Sequence, residues 1–390
     1  LAIVTCTPPP MRYFGYDNII ATRLTEQYPF YPGMNFGDTI NNLNVNTSGS
    51  GVFNEPVLVV FSGDRAAAQS VIDAYTSTSG IGTNTDAASN FMGIDADTVR
   101  LWDRSNNQTW QESHPDILSH IARLSVPLEG SEDEYALFKN LSWPVRLYFA
   151  NDEEKASDPV NSPPLKPRYS VNVADEITTL KDSFETFTQA VNTTMMHDKY
   201  ASGDDAVFMG IFNSTFTAEG FYDDWDVILA NKDNASFIAG TRDATYGLPL
   251  EVEGSGLVFN NSAAVVMGVI HSEVLGACYS SMGVDLTNYV NYSTHWFMDT
   301  ELMGSARRYL PNSEDANIDM FYAVDFMPIG GCLDAEYPQW CVEIPKSVVT
   351  TSPSNWFSYL IGERIYSVTE TMVGASANTT IPMLLYMYTV

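Results

Sequence analysis

With 390 residues, 45% of them apolar and 12% aromatic, the chain can build a large packed interior and is not a disordered polymer. Its 19 basic residues against 48 acidic ones give a formal charge of −29, a field that repels phosphate backbones and argues against a nucleic-acid partner. The same field favours solubility, attracts cations and suits an extracellular or saline medium.

Taken in chain order, Leu1 to Thr5 is apolar and β-prone and runs into Cys6 and Pro8-Pro9-Pro10, which impose an extended path. The aromatic alternation of Met11 to Tyr16 predicts a strand. Asn54-Glu55-Pro56 opens Val57 to Phe61, a continuous apolar run expected of a strand buried on both faces. Ser62-Gly63-Asp64-Arg65 then predicts a helix start, with Ser62 as N-cap and Asp64 in the first turn. Ala66 to Tyr75 continues it, with Val71, Ile72 and Tyr75 on the apolar face. Ser131 and Glu134 form a capping-box pattern ahead of a short helix over Ala136 to Lys139, and Pro144 leads into a strand over Val145 to Ala150. Asn151 to Pro167 is charged and Pro-rich, as expected of a linker or long surface loop. The clearest helix spans Ala174 to about Met195, with Ile177, Leu180, Phe184, Phe187 and Val191 on one stripe. Short apolar stretches follow between turn residues: Val207 to Phe212, Leu257 to Phe259, Ala263 to Ile270, Phe321 to Phe326, Cys341 to Ile344 and Met383 to Tyr388. Ile381 to Val390 is about half of the roughly 20 residues that span a bilayer, so it reads as a buried strand and no membrane span is expected.

Two passages look alike. Gly37-Asp38-Thr39 precedes Val52-Phe53-Asn54 and the strand Val57 to Val60; Gly240-Thr241-Arg242-Asp243 precedes Val258-Phe259-Asn260 and the strand Ala263 to Val266. The expected fold is therefore mainly β with some α (α+β): two related lobes of β-sandwich or jelly-roll type with a few peripheral helices. Residues 1–150 form the first lobe with short helices, 151–172 the linker or surface loop, and 173–390 a helix plus the second lobe, the lobes packing as one unit.

Nine Asn-x-Ser/Thr sequons, at Asn46, Asn107, Asn140, Asn192, Asn213, Asn234, Asn260, Asn291 and Asn378, point to N-glycosylation and hence secretion. No basic, apolar leader with a small-residue cleavage site opens the sequence, so in a secreted protein the numbered residues start after processing. Four cysteines allow three pairings. Cys332 and Cys341 flank a turn-rich segment where a short disulfide loop is sterically easy, which leaves Cys6 for Cys278 and ties the N-terminus to the second lobe. No Cys/His cluster has zinc spacing.

Candidate chemistry is sparse. His271, at the end of an apolar strand, is a candidate general base, against the plainer reading of a hydrogen-bonded structural histidine. Arg242, Asp243 and Tyr246 form a candidate polar cluster for a carboxylate or sugar, or simply an Arg–Asp pair supporting a turn. Asp223, Asp224 and Asp226 place three carboxylates where calcium, the one cofactor considered, would find oxygen ligands. A Gly-x-Ser-x-Gly elbow is absent.

Arg242 to Tyr246 followed by a valine-rich strand resembles the Asn-Pro-Asp-Thr-Leu-Tyr…Pro-Val-Val stretch of bacterial β-sandwich proteins of unknown function. Arg12-Tyr13-Phe14 followed by Gly37-Asp38-Thr39 is similar to their next hallmark, in permuted order. Val269-Ile270-His271 to Tyr279 resembles uncharacterised secreted proteins of microalgae. The resemblance implies that Arg12 and Tyr13 join Arg242 and Asp243, and that strands near Arg12 and Cys278 are neighbours joined by the Cys6–Cys278 bridge. It carries no reaction.

The expectation is a secreted, acidic, N-glycosylated structural or interaction protein, such as a cell-surface, matrix or filament subunit. Self-association through its apolar terminal strands, and contacts with glycans, are the expected partnerships. The alternatives are a secreted hydrolase or lyase acting on a carbohydrate or small acid, using His271, Arg242, Asp243, Tyr246 and Arg12, and a glycan- or calcium-binding module.

Overall fold

The computed structural model describes residues 1–24, 29–30, 34–35, 37–77, 88–94, 117–140, 145–147, 158–160, 165–197, 208–216, 242–249, 262–287, 292–328, 330–332, 337–344 and 359–389. The chain is mainly β with some α, in two compact units. The first takes its described residues from Leu1–Pro167, Gly220–Ala244 and Thr371–Val373; the second takes them from Arg168–Glu219, Thr245–Glu370 and Gly374–Val390.

The first unit contains β1 (Ala2–Cys6), β2 (Phe14–Leu24), β3 (Pro29–Phe30), β4 (Met34–Asn35), β5 (Ile40–Asn41), β6 (Val57–Ser62), α1 (Arg65–Ser77), β7 (Ala88–Gly93), β8 (Ile117–Leu124), α2 (Glu132–Asn140) and β9 (Val145–Leu147). One sheet runs β7-β6-β1-β9, and β6 and β7 are parallel with α1 as their crossover. The other is gathered on β2, which pairs antiparallel with β8 and with the short β3, β4 and β5. Both faces of β6 are buried, as the unbroken apolar run demands. Val57, Val59 and Phe61 share a cluster with Phe14 and Tyr16, whereas Leu58 and Val60 pack on Ala68 and Ile72 of α1.

The start of α1 differs in detail from expectation. Asp64, not Ser62, caps α1, its Oδ1 accepting the Ala67 N–H at 3.0 Å; Ser62 instead accepts the Asp64 N–H. At the start of α2 the Ser131 hydroxyl shares its one hydrogen between the carbonyls of Pro10 and Leu128, while the Ser131 carbonyl accepts the Tyr135 N–H.

The second unit contains α3 (Glu176–His197), β10 (Phe208–Phe216), β11 (Ala244–Pro249), β12 (Ser262–Val269), α4 (His271–Leu275), β13 (Ala277–Thr287), β14 (Tyr292–Met298), α5 (Asp299–Leu302), β15 (Phe321–Pro328), β16 (Cys341–Ile344), β17 (Tyr359–Val368) and β18 (Leu384–Thr389). One nine-stranded sheet runs β14-β13-β17-β11-β10-β18-β12-β15-β16. The predicted stripe of α3 is its packing face: Leu180, Phe184, Phe187 and Val191 join Val265, Met267 and Phe321, with Phe187 stacked on Phe321 at 5.5 Å. Ile177 falls off that face and is exposed. Met282, Val284 and Ile361 from one end of the sheet share a cluster with Ala264, Val266 and Val324 from the other, so the sheet curls until its two ends meet.

Both apolar terminal strands are internal. β1 lies between β6 and β9, and β18 between β10 and β12. Their ladders are used within the chain, so each terminal strand completes a sheet inside its own unit. The described part of the Pro-rich stretch is tied down, with Val160 N–H donating to Gly63 and Lys166 N–H to Asp38. Leu257 to Phe259 lies outside the described residues. Among the described residues no helix is long and apolar enough to cross a membrane.

Candidate functional site

Each unit buries a polar array around residues that the sequence singles out. In the second unit, β12 ends at Val269 and His271 opens α4, which stops at Gly276 in the left-handed conformation (φ 65°). This sharp entry turns His271 inward, fully buried. Nδ1 lies 2.8 Å from Glu176 Oε1, on the first residue of α3, and Nε2 lies 2.8 Å from Glu363 Oε1, in the middle of β17. Tyr322 of β15 donates its hydroxyl to the same Glu363 oxygen at 3.1 Å. Glu176 Oε2 accepts the Ile381 N–H at 2.9 Å, whereas Glu363 Oε2 is buried without a hydrogen-bond partner. Tyr322 pairs in register with Gly268, and a Cβ at Gly268 would fall 2.4 Å from the hydroxyl, so only glycine lets the ring cross the strand.

Burial alone would lower the pKa of His271, but the two carboxylates more than offset it and raise it to about 10. Burial, then the charge of Glu363, pushes Tyr322 well above the ordinary tyrosine range. The ring is therefore an imidazolium, both of whose N–H groups donate to carboxylates. It has no nitrogen left to take a proton from a substrate. What the arrangement does is tie α3, α4, β15 and β17 together by charge-assisted hydrogen bonds.

In the first unit, Arg242 Nε donates to Asp38 Oδ1 at 2.8 Å, and its Nη2 donates to the Lys166 carbonyl. The Lys166 N–H returns to Asp38 Oδ2 at 2.8 Å, closing a ring of hydrogen bonds. Asp243 is fully buried, which pushes its carboxyl up to about 8. Gly15 of β2 makes room for it: a Cβ there would lie 2.9 Å from Asp243 Oδ2 and 2.1 Å from the Tyr13 hydroxyl. The neighbouring Asp17 accepts from Thr39 Oγ1 and Arg123 Nε.

The sequence-predicted residues thus fall into two groups. Tyr13, Arg242 and Asp243 belong to the first unit: Tyr13 and Asp243 both face Gly15, whereas Arg242 is bound to Asp38 and Lys166. Arg12 enters the same unit through its backbone, its N–H donating to Val126 and its carbonyl accepting from Asn42. His271 and Tyr246 belong to the second unit, where the Tyr246 ring lies 6.0 Å from the Arg364 guanidinium.

Comparison with protein-family models, characterised proteins and solved structures finds no match.

Cys332 and Cys341 form a disulfide with Cα atoms 5.8 Å apart. The expected Cys6–Cys278 bridge is absent: neither cysteine is in a disulfide. Cys6 Sγ sits 2.6 Å from the Tyr16 hydroxyl beside the apolar cluster, and burial pushes the thiol up to about 11. Elimination fails here because it presumes that every cysteine is paired, whereas a buried thiol is stable as a small hydrophobe.

Asn46, Asn140 and Asn378 are exposed. Asn192 is half-buried in α3 and accepts a hydrogen bond from the Tyr388 hydroxyl at 3.2 Å. Asn107, Asn234, Asn260 and Asn291, the side chain of Asn213, and the calcium candidates Asp223, Asp224 and Asp226 lie outside the described residues. Among the described residues, no group of three His, Cys, Asp or Glu side chains is arranged to hold a metal ion.

Sequence reasoning finds His271, Arg242 and Asp243 but misses Glu176, Glu363, Tyr322 and Asp38 as their partners. Glu363 had a readable signal: it alternates with Ile361 and Ile365 on one strand face, a charge where the pattern calls for an apolar residue. Glu176 had none, because an acidic residue in the first turn of a helix is ordinary.

Proposed function

We propose that the chain is an extracellular, acidic N-glycoprotein with a structural or interaction role, such as a cell-surface or matrix subunit. The observation that carries this reading is the engagement of His271, whose two nitrogens are both bound to carboxylates inside the second unit. The strongest catalytic candidate in the sequence is thereby used in holding the fold. Arg242 is used in the same way, bound to Asp38 and Lys166 in the interior of the first unit. The Cys332–Cys341 disulfide supports an oxidising compartment, and the exposed acceptors Asn46, Asn140 and Asn378 are compatible with glycans.

A second reading, a hydrolase or lyase, draws on Asp243, whose carboxyl at about 8 lies in the range of a general acid–base. Asp243 is fully buried beside Tyr13 and Gly15, an environment that accounts for the shift without a substrate.

The test is expression of the full chain through a eukaryotic secretory pathway, followed by mass spectrometry with and without N-glycosidase and by light scattering. The proposed reading expects glycan-dependent mass and one disulfide. Secretion of an unglycosylated chain with four free thiols would overturn it.

A further inference from the structure

His120 of β8 pairs in register with Asn18 of β2. Its ring stands against Phe61 of β6, centroids 4.4 Å apart, beside the apolar cluster that draws on both sheets of the first unit. His120 Nδ1 is buried without a hydrogen-bond partner, and so are both amide atoms of the fully buried Asn18. Among the described residues no carboxylate is placed to match a protonated ring. Asn18 is neutral. Tyr16, two residues along β2, is bound to Cys6 and held well above its ordinary pKa. Asp17 is engaged with Thr39 and Arg123.

We propose that the first unit contains an acid-triggered release built on His120: protonating its imidazole puts an uncompensated charge beside Phe61 and loosens β2 and β8 from β6, while the second unit, whose buried histidine is already held between two carboxylates, stays closed. Burial pushes His120 down to about 4 from an ordinary 6.5. A folded-state pKa below the unfolded one means that the unfolded chain binds the proton first. The stability that His120 allows is therefore complete above about pH 6.5 and is lost as pH falls toward 4. With an allowance for the half-buried ring's contact with solvent, the unfolding equilibrium of the first unit shifts about a hundredfold over that window.

Hydrogen exchange read by mass spectrometry on the intact chain, between pH 7 and 4.5 and corrected for intrinsic exchange, tests this. Peptides from β2, β6 and β8 lose protection in acid while those from α4 and β17 keep theirs, and His120→Phe, which preserves the ring contact and cannot titrate, abolishes the loss. Equal loss in His120→Phe and in the unaltered chain, or loss in both units at one pH, would overturn the proposal. Should that variant not fold, the ring resonances of His120 in the unaltered protein decide. A ring silent down to about pH 5 supports the release, and one titrating near 6.5 in the folded chain refutes it.

Discussion

Arg242 meets Asp38 across 204 positions of sequence, its guanidinium 2% exposed and the carboxylate 15%. The pair joins two stretches that are far apart in the sequence but belong to the same unit. The pair predicts an asymmetry. Asp38→Ala leaves a buried cation and costs about 3–5 kcal/mol, whereas Arg242→Met leaves a carboxylate that reaches solvent and still accepts the Lys166 N–H, and costs less. Urea unfolding of the two variants measures the difference; equal losses would contradict it.

The Glu176–His271–Glu363 array predicts alkaline weakening of the second unit. The folded pKa of about 10 lies above the ordinary 6.5, so the stabilisation is fully present below 6.5 and fades as pH rises toward 10. His271→Gln removes that pH dependence and costs about 3–5 kcal/mol at neutrality, because two buried carboxylates lose their cation. Thermal unfolding from pH 6 to 10 checks both.

Gly268→Ala places a methyl group 2.4 Å from the Tyr322 hydroxyl and forces the ring off Glu363, at about 1–3 kcal/mol. Gly51→Ala, where the Phe53 carbonyl at 4.0 Å is the nearest atom, is close to neutral. Calorimetry on the two alanine variants separates steric cost from the general effect of replacing glycine.

The cysteines differ in reactivity. Cys6 resists alkylation in the folded chain and reacts on unfolding, because the buried thiol is held in its protonated form. Replacing Cys332 and Cys341 by serine costs about 2–3 kcal/mol, the chain entropy of a short closed loop. Peptide mapping before and after denaturation reads the first expectation, and denaturant titration the second.

Glycan mapping should find the exposed Asn46, Asn140 and Asn378 occupied and Asn192 bare, because Asn192 is half-buried in the interior of α3. Asn192→Gln then changes no glycan and costs about 1 kcal/mol through the lost hydrogen bond from Tyr388. A glycan on Asn192 in the folded protein would show that this geometry gives way.

Local pattern was enough for the elements. The apolar run Val57 to Phe61, the stripe Leu180–Phe184–Phe187–Val191 and the short Cys332–Cys341 loop are each specified within a few turns of chain, because side-chain periodicity and short-loop sterics are properties of neighbours. His271, Arg242 and Asp243 could be singled out for the same reason, as polar residues beside apolar strands.

The roles of those residues were decided elsewhere. Glu176 lies 95 positions from His271, and Glu363 lies 92; Tyr322 reaches Glu363 only because Gly268 stands opposite it. Whether a buried histidine is a base, a strut or an acid-sensitive weak point depends on the charges that other strands and helices bring to it. His271 receives two carboxylates, while His120 receives a phenyl ring and a neutral amide. The same side chain is thereby shifted in opposite directions, since the electrostatics of an interior depend on its three-dimensional neighbours and not on sequence distance.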